Sequence, residues 1–391
     1  MTAQSRFQLL FALWYGAIGI LGNFFALYLK SIGISGAQIG FLAGVIPFAS
    51  VLVGPVWAYF ADVTQNIRAL LAAACLGLAI SMLVVIHLRG FGVLLSCMLV
   101  VGVFHAPIAP FCDSLALQYL DGTLRQQDFG KVRMWGSIGF AVSVFFTGAL
   151  VIEHWINSLL YLYTAVVASI AIVTVTLPES RLLRVMGRPV SLDVLRFTPK
   201  LYRLLLGMIL IGATLGAVNQ YMIIYLDELH TAGWLSGLIF AVGALCEVPL
   251  MARTTFVLQK FGSRLVFLLG ISLLPIRWCL YIFIKDPFLL IPIQLIHSIA
   301  MLSLLVVGVM LVDNLLPPQW RTTGQTMYTV ALHGLGAGVG VLSAGLIYNS
   351  YGMSAVWAAC LITGSVGFLV LRFAIQAEQS PSDRPRLWER I

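Results

Sequence analysis

Twelve runs of predominantly apolar residues, each about the length of a membrane-crossing helix, constrain this chain more than any other feature. A helix needs about 20 such residues to cross roughly 30 Å of hydrocarbon. Measured with that ruler, the sequence predicts spans at 7–29, 36–62, 67–89, 91–118, 132–152 and 155–177. Six more follow at 200–226, 232–258, 263–284, 287–313, 323–348 and 353–375. The expected fold is all-α: a polytopic membrane protein whose twelve transmembrane helices form two six-helix bundles about one polar loop. Composition closes off the soluble alternative, because a chain of 391 residues with only 10% charged cannot coat itself with a water-facing surface. The first run has full length and no small-residue cleavage site, which marks it as a retained helix rather than a signal peptide.

An even number of spans puts both ends and every second loop on one side, so the positive-inside rule tests the count. Nineteen of the 23 basic residues fall on the side of the ends, only Lys30, Arg89 and Lys285 fall on the other, and Arg277 is left inside a span. The expectation is a multi-pass protein of the inner cell membrane with both termini cytoplasmic. The net charge of +8 is then an orientation signal and not the mark of a nucleic-acid partner, for which an exposed basic domain would be needed. The predicted organisation is a bundle at 1–177, a cytoplasmic linker at 178–199 broken by Pro178, Pro189 and Pro199, a second bundle at 200–375, and a cytoplasmic tail at 376–391. "VGPVWAYFAD" (53–62) in the second span is weakly echoed by "EVPLMARTTF" (247–256) in the eighth, the mark of parallel repeats. The six cysteines sit in apolar stretches without a C-x-x-C pair, so neither a disulfide framework nor a metal site is expected, and no cofactor. The "HGLGAGVG" run (333–340) lies mid-span with no strand before it and is no nucleotide loop; its glycines suit close packing.

Ionisable residues deep in a span cost about 2.5–3.5 kcal/mol on the insertion scale and are candidates for function. Glu247, Arg277 and His297 lie about 15, 14 and 10 residues into their spans, which puts all three near the midplane. Arg277 cannot shed its charge, so it is expected to pair with ionised Glu247, with His297 near enough to share a proton. The alternative is a salt bridge that merely pins two helices. Asp113 and Arg133 flank the turn between the fourth and fifth spans and are expected to pair, as a gate or a substrate contact; Lys131 is an ordinary anchor. Asn23, Asn219, Gln220 and Gln294 are amides that either line a cavity or hold helices together. His105 and His333 read as packed. Trp14, Tyr15, Tyr221, Tyr225 and Trp278 are aromatic residues that could stack on a ligand.

These segments resemble the major facilitator superfamily, over essentially the whole chain. "APIAPFCDSLA" (106–116), "DFGKVRMWGSIGF" (128–140), "GALCEVPL" (243–250), "LPIRWCL" (274–280) and "IQLIHSI" (293–299) are similar to the phenylpropionate permease-like group, and more distantly to the lactose and nucleoside proton symporters. The superfamily's loop signature survives in degraded form as "AYFADVTQNIRA" (58–69), keeping Asp62 and Arg68. The resemblance implies a permease, not an enzyme: a proton symporter working by alternating access, with a small-molecule substrate and protons as partners, embedded in lipid and acting as a monomer. It implies that Glu247, Arg277 and His297 couple protons and that Arg133 and Asp113 touch substrate. The lactose symporter has a glutamate where this chain has Ala300, so Glu247 must supply the proton site here. An aromatic carboxylate bound by Arg277 is the favoured substrate; a sugar, a nucleoside, drug efflux, and a non-transporting receptor are the alternatives.

Overall fold

The computed structural model describes residues 2–122, 129–178, 199–316 and 320–376. Twelve helices among them are long and apolar enough to cross a membrane. In chain order they are α1 Ala3–Ser31, α2 Gly36–Thr64, α3 Ile67–His87, α4 Phe91–Leu120, α5 Lys131–Ile152 and α6 Ile156–Val175, followed by α7 Leu201–Glu228, α8 Gly233–Ala252, α9 Ser263–Phe283, α10 Pro287–Asp313, α11 Thr323–Tyr351 and α12 Met353–Ile375. All but the end residues of the expected linker (178–199) and all but the first residue of the expected tail (376–391) lie outside the described residues, as do Arg125 and the basic residues at 179–198 and 377–391.

Local chemistry sets the ends. Ser35 caps α2 through a reciprocal pair in which its hydroxyl accepts from the Gln38 N–H and its own N–H donates to the Gln38 side chain. Pro107 carries no N–H, and α4 breaks into two helical stretches on either side of Ala106–Pro107. The eighth span is shorter than its hydropathy predicts. It stops at Ala252, and Thr254–Phe261 forms a separate short helix. The Thr254 hydroxyl donates to the Met251 carbonyl at 2.8 Å, a local bond that competes with the helical ladder at that point. Leu258 of the short helix is buried while Phe256 and Phe261 stay exposed under the Lys260 ammonium.

Helices α1–α6 pack on one another chiefly through α1 against α5 and α6, and α3 against α6; α7–α12 do so through α7 against α11 and α12, and α8 against α10. The two halves meet along α1–α7, α2–α11 and α5–α8. Every polar contact at these seams among the described residues lies in the half of the molecule remote from the chain ends. The Gln220 amide donates to the Gly22 carbonyl at 3.2 Å, the Tyr221 hydroxyl to the Gly36 carbonyl at 2.8 Å, and Lys30 meets Asp227 at 2.8 Å. Toward the end-bearing face, α2 instead leaves Leu52, Val56 and Tyr59 at least half exposed. The polar contacts between the halves are thus concentrated on the far face. Among the described residues, three helices contain π-helical turns, at Thr147–Ile152 in α5, Ser303–Val307 in α10 and Val330–Gly336 in α11. The last falls on the glycine-rich run, where a Cβ at Gly340 would lie 1.9 Å from the Ala213 carbonyl oxygen of α7; close packing requires glycine there.

Candidate functional site

Depth along three helices brings one buried cluster together. Glu247 sits 14 residues into α8, Arg277 14 residues into α9 and His297 10 residues into α10, so each lies roughly 15–21 Å from the face where its helix starts. The Arg277 guanidinium, 3% exposed, is the hub. Its Nε donates to the Tyr281 hydroxyl at 2.8 Å, its Nη2 to Gln294 Oε1 at 2.9 Å, and its Nη1 lies 3.0 Å from His297 Nδ1. The rings of Trp278 and Tyr281 flank it at 5.1 and 5.3 Å. His297 Nε2 is 3.3 Å from Glu247 Oε1.

These contacts assign the histidine's tautomer. A guanidinium has only donors, so Nδ1, facing Arg277, must accept. The ring proton is then on Nε2, where it points at the Glu247 carboxylate. The direct Arg277–Glu247 pair expected from the sequence is not formed: the imidazole occupies the space between them and relays the cation's polarity to the anion. Gly243, one turn before Glu247, makes room for this, since a Cβ there would already touch Gln294 Oε1 and His297 Cδ2 at 3.4 Å. The Ser298 hydroxyl donates to the Gly243 carbonyl at 3.1 Å and holds α10 on α8 at that level. Tyr281 was missed in the sequence, although its i+4 spacing from Arg277 on a helix is a readable signal.

In the other half, Arg133 does not form the expected ion pair with Asp113. Its guanidinium lies over the Tyr15 ring at 4.2 Å from the centroid, and no carboxylate among the described residues comes within 4 Å of it. Asp113 stands within its electrostatic reach, half-buried on α4. Both side chains of this pair remain partly accessible, unlike Arg277.

The remaining candidates divide. Trp278 is fully buried, with its indole against Gly364 of α12, so it packs and lines no cavity. Tyr221 and Tyr225 likewise spend their hydroxyls on backbone carbonyls, of Gly36 and of Tyr281 and Ile284. Asn23 donates to Gly19 one turn back on its own helix, Gln220 bridges the α1–α7 seam, and Asn219 is exposed. Trp14 is buried beside the His105 ring. In the loop signature, Arg68 donates to the Leu177 carbonyl at 2.8 Å and Asp62 is exposed, its carbonyl accepting from Gln65.

The MFS_1 like family matches residues 5–359 of this chain. The maltose permease of Geobacillus stearothermophilus is 25% identical over 97% of this chain and 96% of its own length. A "Probable 3-phenylpropionic acid transporter" of Escherichia coli (strain K12) is 24% identical over 91% of this chain and 94% of its own. Among solved structures, the nucleoside transporter NupG superposes with a TM-score of 0.84 at 17% identity, covering 97% of this chain and all of that one.

Proposed function

This chain belongs to the MFS_1 like family of major facilitator transporters, and on that premise we propose that it moves a small organic solute together with a proton, by rocking two six-helix bodies (1–177 and 200–375) around a midplane site. The linker at 178–199 joins the bodies and the tail at 376–391 follows the second. Both ends are cytoplasmic in the inner cell membrane, the protein acts as a monomer, and the arrangement described above is the inward-open state.

The observation that carries the proton assignment is the Arg277–His297–Glu247 relay. As it stands, the relay cannot take another proton without a change in its contacts or in its balance of charge. A proton on His297 Nδ1 would meet an Arg277 N–H head on, and one on Glu247 would remove the charge that the Nε2–H and the guanidinium both favour. The first forces Arg277 or His297 to move; the second keeps the hydrogen bonds and loosens the electrostatic hold on Arg277. Glu247, partly accessible and terminal in the relay, is the acceptor; His297 passes the change to Arg277, and Arg277 transmits it to α9 and α10 through Tyr281 and Gln294.

The same geometry favours a different anchor for the substrate. Arg277 is sealed by three polar partners and two rings, so it is not the arginine that receives a carboxylate. Arg133 is accessible, stacked by one face on Tyr15, and keeps its N–H edge for a planar anion. An aromatic carboxylate, with its ring beside Tyr15, is the substrate class that uses both groups. The neighbouring Asp113 favours a second reading, since a carboxylate beside a guanidinium also suits the hydroxyls of a sugar or nucleoside, the solutes in the names of two relatives. The experiment is uptake of radiolabelled 3-phenylpropionate, maltose and uridine into proteoliposomes, with and without an acid exterior. Accumulation of 3-phenylpropionate above its outside concentration, dependent on the gradient, supports the first reading. The same behaviour with maltose or uridine supports the second. Uptake that never exceeds equilibrium for any solute, whatever the gradient, refutes proton coupling.

A further inference from the structure

We propose that Glu153 is a gate residue: it locks the far face shut by capping α8 across the boundary between the two halves. The sequence before α8 is "HTAG", and its N-cap, Ala232, has no side chain that can accept a hydrogen bond. A helix start leaves its first N–H groups without intrahelical partners and carries partial positive charge. Here the first of those groups, the Gly233 N–H, donates to Glu153 Oε2. Glu153 stands at the end of α5, in the other half of the molecule, so the cap is supplied in trans.

The surrounding backbone is shaped for this contact. A Cβ on Gly233 would lie 2.4 Å from the Gly148 carbonyl oxygen and 2.8 Å from Glu153 Oε2, and one on Gly148 would lie 2.5 Å from the Gly233 carbonyl oxygen. Only glycine at both positions lets α5 and α8 approach closely enough for the carboxylate to reach the helix start. A cap that served α8 alone would come from its own half and would persist through transport. This one must break whenever α5 and α8 separate on the far face, and α8 then loses its only capping side chain among the described residues. Its release therefore sets how readily that face opens. The other charged contact between the halves on this face, Lys30–Asp227, joins side chains that are 35% and 46% exposed, where water screens the attraction.

The inference rests on the rocking motion proposed above and is independent of the proton site. It is tested on the full chain in lipid nanodiscs, with Cys97, Cys246 and Cys279 replaced by alanine and spin labels at Asn157→Cys and Tyr351→Cys, exposed far-face positions in opposite halves. Pulsed electron resonance measures the distance distribution between them. Gly148→Val, whose added carbons collide with the Gly233 carbonyl, reports what an opened far face looks like. Glu153→Ala is expected to lower the closed-to-open ratio about five- to tenfold, the usual effect of deleting a cap. Glu153→Gln keeps the shape and the acceptor but not the charge, and is expected to fall between. If Gly148→Val lengthens the distance and neither Glu153 variant does, the gate assignment is wrong, even when those variants unfold at lower temperature. If Gly148→Val itself produces no longer distance, the rocking motion is what fails.

Discussion

Glu247→Gln separates charge from shape at the proposed proton site. The amide oxygen can still accept from His297 Nε2–H at the 3.3 Å of the native contact, so the relay's hydrogen bonds survive and only the negative charge is removed. Through the imidazole, the carboxylate and the Arg277 guanidinium stand roughly 8 Å apart, which at an effective dielectric of about 20 is worth about 2 kcal/mol. Losing that attraction leaves the protein folded but somewhat less stable, since Arg277 keeps Tyr281, Gln294 and His297 as acceptors. The transport consequence is larger. One pH unit of gradient supports about tenfold accumulation per co-transported proton, tenfold being about 1.4 kcal/mol. In proteoliposomes with an exterior one unit more acid, the native protein is expected to reach an inside-to-outside solute ratio near ten and Glu247→Gln a ratio near one. Exchange of labelled for unlabelled solute at equal pH should persist within a few-fold. A Glu247→Gln protein that still concentrates solute about tenfold in response to the gradient refutes the assignment of Glu247 as proton carrier.

Arg277→Ala is expected to be harsher: it leaves the Tyr281, Gln294 and His297 acceptors empty and Glu247 without a countercharge, a loss of about 3–5 kcal/mol visible as a lower unfolding temperature in detergent. Arg277→Lys should recover only part of this, because an ammonium lacks the planar fork that reaches three acceptors in different directions. Arg133→Gln should insert normally, since Lys131 remains as anchor, and should raise the KM for 3-phenylpropionate at least tenfold, as expected when one charge-assisted contact is lost; an unchanged KM demotes Arg133 to an anchor. Lys30→Gln should alter uptake less than about fivefold, because an ion pair this exposed contributes about 0–1 kcal/mol; a larger loss in initial uptake rate would make the pair a principal latch.

What the sequence showed and what it hid divide along a physical line. Hydropathy reports depth along a helix, and depth sufficed to place Glu247, Arg277 and His297 at one level and to count twelve spans, because the bilayer imposes one thickness on every helix. It does not report which way a side chain faces around the helix axis or which neighbour lies beside it. The order of contacts, with His297 between the two charges, therefore had to come from the structure, and so did the sealing of Arg277, on which the proposed shift of the anion's anchor to Arg133 rests. Trp278 shows the same limit: an indole next to a buried cation reads as a cavity wall until Gly364 of the twelfth helix is seen to cover it. Lys30, Asp227 and Glu153 carried a weaker signal. Charges are scarce on the far side, so each one there is a candidate for pairing across it. The partner of Glu153, however, is a backbone N–H at a glycine, and a backbone donor has no letter in the sequence. A contact of that kind becomes legible only when the missing cap at Ala232 is noticed and the question is asked where the first N–H of α8 finds its acceptor.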